Sequence, residues 1–286
     1  MVDRGGQPQH RRRELRITSG RDQLEAGARR GGAGMSIAAC AEIVAAGDPD
    51  RFRATMSGPV SAREKLLPLY AFNLEVARAP WVSQEPMIAQ MRLQFWRDTL
   101  AGIAGGGPVP AHEVAAPLAG ALHGAGLSPD TLDHIVVARW ADVAREPFET
   151  EAALWDYLDA TNGGLMWAGV AALGADKALE APARALGRAL GLANWLMAVA
   201  ELRARGWAAW PSGDYAGLIA RAGDDLATAR AARFGAALPA ARSAWRAPGV
   251  LNRARAHPDW IGTPRLAGAE AGARLRLIGV SLLRRW

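Results

Sequence analysis

Apolar residues in this chain recur every three to four positions, and no stretch alternates apolar and polar side chains as a half-buried strand does. In SAREKLLPLYAFNLEVAR (61–78), Leu66, Leu67, Tyr70, Leu74 and Ala77 fall on one helical face. Ser61 with Glu64 three residues later reads as a capping box, and Pro80 ends the helix. Residues 84–103 predict a second helix with Met87, Met91, Phe95 and Leu100 on its apolar face, followed by the loop GGGPVP (105–110). Capped helices are expected over 128–145 and 150–161, each followed by a break. Residues 163–174 predict a buried helix and 178–205 a long one. Beyond Pro211 come shorter segments near 212–233 and 236–246, a Pro-, Gly- and Trp-rich loop over 247–266 and a last helix over 267–285. With no βαβ alternation, hairpin signal or internal repeat, the chain is expected to be all-α and to form one helical domain.

The charge is unevenly spread. Residues 1–34 hold eight arginines against four acids, leaving +2 of the net +6 for the rest of the chain. That segment reads either as a disordered basic arm or as sequence upstream of a true start at Met35. MSIAACAEIV, with its serine N-cap running into an amphipathic helix, favours the second, so the folded domain is assigned to 35–286. Lys65 and Lys177 are the only lysines, and no arginine-rich helix with interleaved aromatics appears in the body, so nucleic acid is not an expected partner. Cys40 stands alone and the five histidines are scattered, which excludes an intrachain disulfide and a cysteine-based zinc cluster. The 11 tryptophans read as core filling. The longest uncharged stretch, GGLMWAGVAALGA (163–175), falls short of the roughly 20 residues a bilayer span needs. The basic N-terminus has no apolar region behind it, so no secretory signal is read. A cytoplasmic location is expected, with peripheral contact at an inner membrane as an option.

Three separated segments carry a resemblance. LYAFNLEVARAPW (69–81), FETEAALWDYLDATNGGLMWAGVAALGA (148–175) and GLANWLMAVAELRARGWAAWP (191–211) are similar to stretches of the squalene/phytoene synthase family, in the right order and at the right distances. The resemblance implies an isoprenoid-synthase-like helical bundle around a central cavity, and condensation of prenyl diphosphates. In that family, aspartates on two facing helices hold Mg²⁺ against the substrate diphosphate. Carboxylates at helical spacing present oxygen ligands on one side, and the metal stabilises charge on the leaving group. The resemblance puts the first helix's aspartates at Ala77, Arg78 and Trp81. On the second helix the Arg-Asp pair falls on Met197 and Ala198, and the Glu-Asp pair on Glu201 and Leu202. Asn194, Glu201, Gly206 and Pro211 match the family pattern, and every aspartate position carries another residue.

Glu75 and Glu201 remain as carboxylates on the two helices, able to hold one Mg²⁺ with phosphate help. Helical spacing instead predicts a Glu75–Arg78 pair and a Glu201–Arg205 pair, and Arg78 is also placed to bind an anion directly. YAFNLE (70–75) and RLQFWRD (92–98) resemble an aspartate-less branch of the family, which contains the mitochondrial complex I assembly factor and its bacterial relatives. That implies a non-catalytic assembly or isoprenoid-binding factor without a cofactor. The alternative is a divergent prenyl transferase with Mg²⁺. Arg92, Phe95, Trp96 and Arg97 are candidates for a surface that docks a membrane-complex protein, or else part of a solvated ion-pair face with Asp98. Tyr70, Asn73, Tyr157, Met166, Trp167, Leu196 and Met197 are candidates to line a cavity for an apolar isoprenoid or lipid, or simply to fill it. The last residues, ARLRLIGVSLLRRW, read either as an interfacial helix or as a helix docked on the core.

Overall fold

The computed structural model describes residues 37–210, 212–283 and 286, and helix follows helix with no strand among them. Both readings of the 1–34 segment and the Ser36 cap therefore lie outside the described residues. Asp48 separates α1 (37–47) from α2 (Pro49–Met56). Its carboxylate accepts the Arg51 backbone N–H at 2.9 Å, while Pro49 takes a first-turn position where no N–H is needed. α3 (Val60–Arg78) starts directly after Pro59 with no side-chain cap, so the capping box expected from Ser61 and Glu64 does not form. Extended backbone at Pro59 (φ −65°, ψ 159°) sets the start two residues earlier than a Ser61 cap would.

A short 3₁₀ turn, Ala79–Trp81, leads to α4 (Pro86–Ala104). α4 buries Ala89, Leu93, Trp96, Thr99, Leu100 and Ile103. The expected apolar face is thereby corrected: Met87 and Met91 are 70% and 66% exposed, and of the four residues only Leu100 is buried. This helix carries two apolar rows, and periodicity alone does not choose which one faces inward. α5 (Ala115–Ala125) ends at left-handed Gly126. The single helix expected over 128–145 is two, α6 (Asp130–Ala138) and α7 (Trp140–Ala144), and α7 stops at Arg145, which holds a positive φ of 55°. α8 (Glu151–Leu158) is capped by Thr150, as expected. No break follows it: a π-helical turn, Asp159–Gly163, carries the chain straight into α9 (Gly164–Ala172). Then come α10 (Glu180–Ala204), α11 (Ala216–Ala231) and α12 (Leu238–Ala241). The loop expected over 247–266 holds a further helix, α13 (Ala247–Ala256), because Pro248 sits in its first turn, where proline is compatible with a helix. α14 (Glu270–Leu282) is the last.

α9 lies at the centre of the bundle, in contact with α3, α5, α6, α10 and α12. Its buried side chains include Leu165, Met166, Ala168 and Val170, in keeping with its near-uniform apolar sequence. α10 reaches the core by lying directly on the π turn. A Cβ at Gly187 would stand 2.4 Å from the Asn162 carbonyl oxygen, and one at Gly191 would stand 2.8 Å from the Asn162 side-chain nitrogen. Bare backbone at both positions permits the approach.

Arginines on the same helix clamp it. Arg188 donates to Asp159 at 2.9 Å and to both carboxylate oxygens of Asp225 on α11 at 2.8 and 2.6 Å, and Arg184 also pairs with Asp159. Burial opposes ionisation of Asp159, but hydrogen bonds from Arg184 and Arg188 outweigh it and hold the carboxyl below its usual range. The folded-state value is depressed, so this contribution to stability is present above the ordinary carboxylate range and is lost as pH falls through the folded value.

Gly187→Ala is expected to overpack this contact and cost roughly 1–3 kcal/mol, read as a lower midpoint in urea unfolding. Gly223→Ala on α11, where a Cβ meets nothing within 4 Å, is the control and is expected to be neutral or stabilising.

Candidate functional site

The C-terminal ends of α3 and α10 are brought together by an aromatic cluster. α10 ends in a Schellman turn: the Trp207 N–H bonds the Leu202 carbonyl at 2.9 Å, the Gly206 N–H bonds Arg203 at 3.0 Å, and Gly206 holds a φ of 86°. That reversal tucks Trp207 under the helix end, where it is 1% exposed and its indole N–H donates to the Glu146 carbonyl at 2.9 Å. Trp207 meets Trp81, at the end of the α3 turn, with ring centroids 6.2 Å apart. It also meets Phe148 at 5.9 Å and the Tyr157 ring edge-to-face at 6.2 Å.

The outer side of this cluster is cationic. The Arg145 and Arg205 guanidiniums lie 5.0 and 5.5 Å from the Trp81 ring centre. Arg145 also donates to the Arg205 carbonyl at 3.3 Å, and Arg205 pairs with Glu201 at 2.5 Å. The expected Glu201–Arg205 pair is therefore present, on the surface. The expected Glu75–Arg78 pair is not: among the described residues neither side chain makes an ion pair, and Arg78 instead covers Gly47 at the end of α1. No three His, Cys, Asp or Glu side chains gather to hold a metal among the described residues.

The inner side is a buried polar triad. The Tyr157 hydroxyl donates to Asp142 at 2.9 Å and accepts from Arg139 at 2.8 Å. Burial pushes the Asp142 carboxyl up, against the pull of Arg139, and pushes the Tyr157 phenol up as well. Burial alone would favour deprotonating Arg139, but Tyr157 and Asp142 reverse this and keep it charged. The triad anchors α7 to α8 beneath the aromatic cluster.

The other sequence-derived candidates are scattered. Tyr70 is buried under the Arg51 guanidinium, 5.0 Å from its ring centre, with its hydroxyl pushed up to about 12 by burial. Asn73, Met166 and Leu196 are buried, and Trp167 is partly so. Asn194 and Met197 open onto a cavity of about 270 Å³ that also includes Asp48, Asp50, Arg51, Ser243 and Arg246. The four docking candidates do not form one surface. Trp96 is in the core, edge-on to Phe72 at 5.2 Å, because it lies on the inward row of α4. Arg97 is engaged with Asp133 of α6 at 2.9 Å, Phe95 rests on Trp96, and only Arg92 stands free in solvent. Sequence reasoning missed Trp207, Phe148, Arg145, Arg139 and Asp142. The surplus of tryptophan was the available signal, but it carried no information about which rings meet.

This geometry defines an all-α protein of the isoprenoid-synthase fold. A dehydrosqualene synthase solved with ligand superposes with a TM-score of 0.72 at 16% identity, covering 88% of this chain and 98% of that one. The squalene synthase HpnC from Alicyclobacillus acidocaldarius gives a TM-score of 0.56 at 15% identity, with 88% and 92% covered. The chain belongs to the squalene/phytoene synthase family, which matches residues 44–259. Among curated proteins it is similar to the NADH dehydrogenase (ubiquinone) complex I assembly factor 6 of Homo sapiens, 28% identical over 160 residues, and of Mus musculus, 26% identical. That match covers 56% of this chain and 48% of the human protein, so the chain spans about half the length of these relatives.

Tyr157→Phe is expected to leave Asp142 and Arg139 each short of a buried hydrogen bond. The expected cost is about 1–3 kcal/mol in chemical denaturation, with the helical circular dichroism spectrum unchanged.

Proposed function

We propose that this protein is a non-catalytic member of the family, acting as an assembly or isoprenoid-binding factor. The carrying observation is the contact between the two motif-bearing helix ends. Where the family resemblance calls for carboxylates, the chain has Ala77, Arg78 and Trp81 on one side and Met197, Ala198 and Leu202 on the other. Trp81 packs against Trp207, and two guanidiniums face its ring. This donor set does not fit a Mg²⁺–diphosphate clamp. Mg²⁺ needs oxygen ligands, and guanidiniums beside the site oppose a second cation. Of the remaining carboxylates, Glu201 is neutralised by Arg205. Similarity to the complex I assembly factors supports an assembly role, as does the absence of any requirement for a reacting centre in such a role. Work at a membrane face is part of the proposal. No helix among the described residues is long and apolar enough to cross a membrane, so the contact we propose is at the surface.

The test is diphosphate release from farnesyl or geranylgeranyl diphosphate by the purified chain, with and without Mg²⁺. The expected result is release no faster than in the protein-free control under either condition. Mg²⁺-dependent release that disappears in Glu75→Gln or Glu201→Gln would overturn the proposal and establish a divergent transferase.

A further inference from the structure

At the end of the bundle where α3 begins, away from the motif-bearing helix ends, lies a cleft of about 1460 Å³ between the start of α3, the α11–α12 connection and the inner side of α14. Its described lining holds five basic residues, Lys65, Arg230, Arg233, Arg242 and Arg276, and no acidic one. Among the described residues, Lys65, Arg230, Arg233 and Arg276 make no ion pair. By contrast, Arg184, Arg188, Arg205 and Arg246 each meet a carboxylate. Four cations facing one concavity without counter-ions repel one another, and an anion placed there relieves that repulsion. The apolar part of the wall includes Phe234, Leu238, Val280 and Trp286.

α14, which closes the cleft, has a second face. Leu275, Ile278 and Leu282 recur at helical spacing and are 69%, 56% and 79% exposed. The helix is tied down at both ends. Arg246 pairs with Glu270 at 2.9 Å, and Arg242 donates to the Ser281 carbonyl at 3.2 Å. These ties hold the leucine row outward. Apolar side chains on an anchored helix beside uncompensated cations form a surface complementary to an anionic bilayer: the row enters the acyl boundary and the cations take lipid phosphates.

We infer that α14 and the basic cleft together form a docking site for the surface of an anionic phospholipid membrane, with a lipid headgroup phosphate received by Lys65, Arg230, Arg233 and Arg276. The inference rests on the membrane-face part of the reading above and is independent of whether catalysis is lost. It also leaves the docked-helix and interfacial-helix readings of the C-terminus compatible, one for each face of α14.

The test is flotation of the full chain with vesicles of equal parts phosphatidylglycerol and phosphatidylcholine, against vesicles of phosphatidylcholine alone. Hydrogen exchange is followed over residues 230–238 and 270–283 in the same samples. Binding to the anionic vesicles is expected, with slowed exchange in both segments. Lys65→Glu/Arg233→Glu is expected to weaken it by at least about fivefold for each positive charge removed, and Leu275→Ser/Leu282→Ser to weaken it while leaving the salt dependence intact. Arg255→Glu, exposed on α13 and outside the cleft, is expected to have a small effect. The basic residues of 1–34 are present in every variant, so their contribution cancels in the comparison. Equal binding to both vesicles, unchanged exchange in the two segments, or charge-reversed variants that bind like the parent would each overturn the site. Binding of inorganic diphosphate at the cleft without vesicle binding would overturn the membrane as occupant. None of these outcomes bears on diphosphate release, so the catalytic reading and the docking site fail separately.

Discussion

A single buried indole, Trp207, joins four separate parts of this chain. Its N–H is satisfied by Glu146 in the α7–α8 connection, and its ring touches Trp81 after α3, Phe148 before α8 and Tyr157 within α8. It reaches that position only because Gly206 turns left-handed at the end of α10. The rings bury more apolar surface than the acidic residues of a metal clamp would, and they need no ion to hold them together. Hydrophobic packing and arginines on an aromatic face bridge the ends of α3 and α10.

The neighbouring constraints point the same way. α10 can present its end to α3 because Gly187 and Gly191 let it lie against the π turn, and because Arg184 and Arg188 fix its rotation through Asp159 and Asp225. The Arg139–Tyr157–Asp142 triad then fixes α7 to α8 below the rings. Buried ion pairs of this kind are poor sources of net stability, since removing charges from water is expensive. Their value here is positional: they join α7 to α8, and α10 to both the π turn and α11.

Much of the fold was legible in the sequence, because uniform helical periodicity and clear breaks leave few alternatives. α3, α9 and α10 lie close to where the spacing put them. Failures came where a local rule met a tertiary one. α4 carries two apolar rows and packing selected the row with Trp96. The break expected after residue 161 is absent: Asp159–Gly163 forms a π turn, and α10 packs closely against it. Pro248 reads as a loop residue and serves as a helix start. The motif positions were legible residue by residue. That Trp81 and Trp207 meet was not, because the two rings stand 126 positions apart in the chain and no spacing rule connects them. The basic cleft is equally invisible in one dimension, since Lys65, Arg233 and Arg276 come from three distant segments.

The coupling between Trp81 and Trp207 holds the two helix ends together. A double-mutant cycle with Trp81→Leu and Trp207→Leu, read by urea unfolding of the two single variants and the double, measures it most directly. The predicted coupling is about 0.5–1.5 kcal/mol in favour of the native pair. Strictly additive losses would mean that the two helix ends are held together by something other than this contact, and would contradict the account.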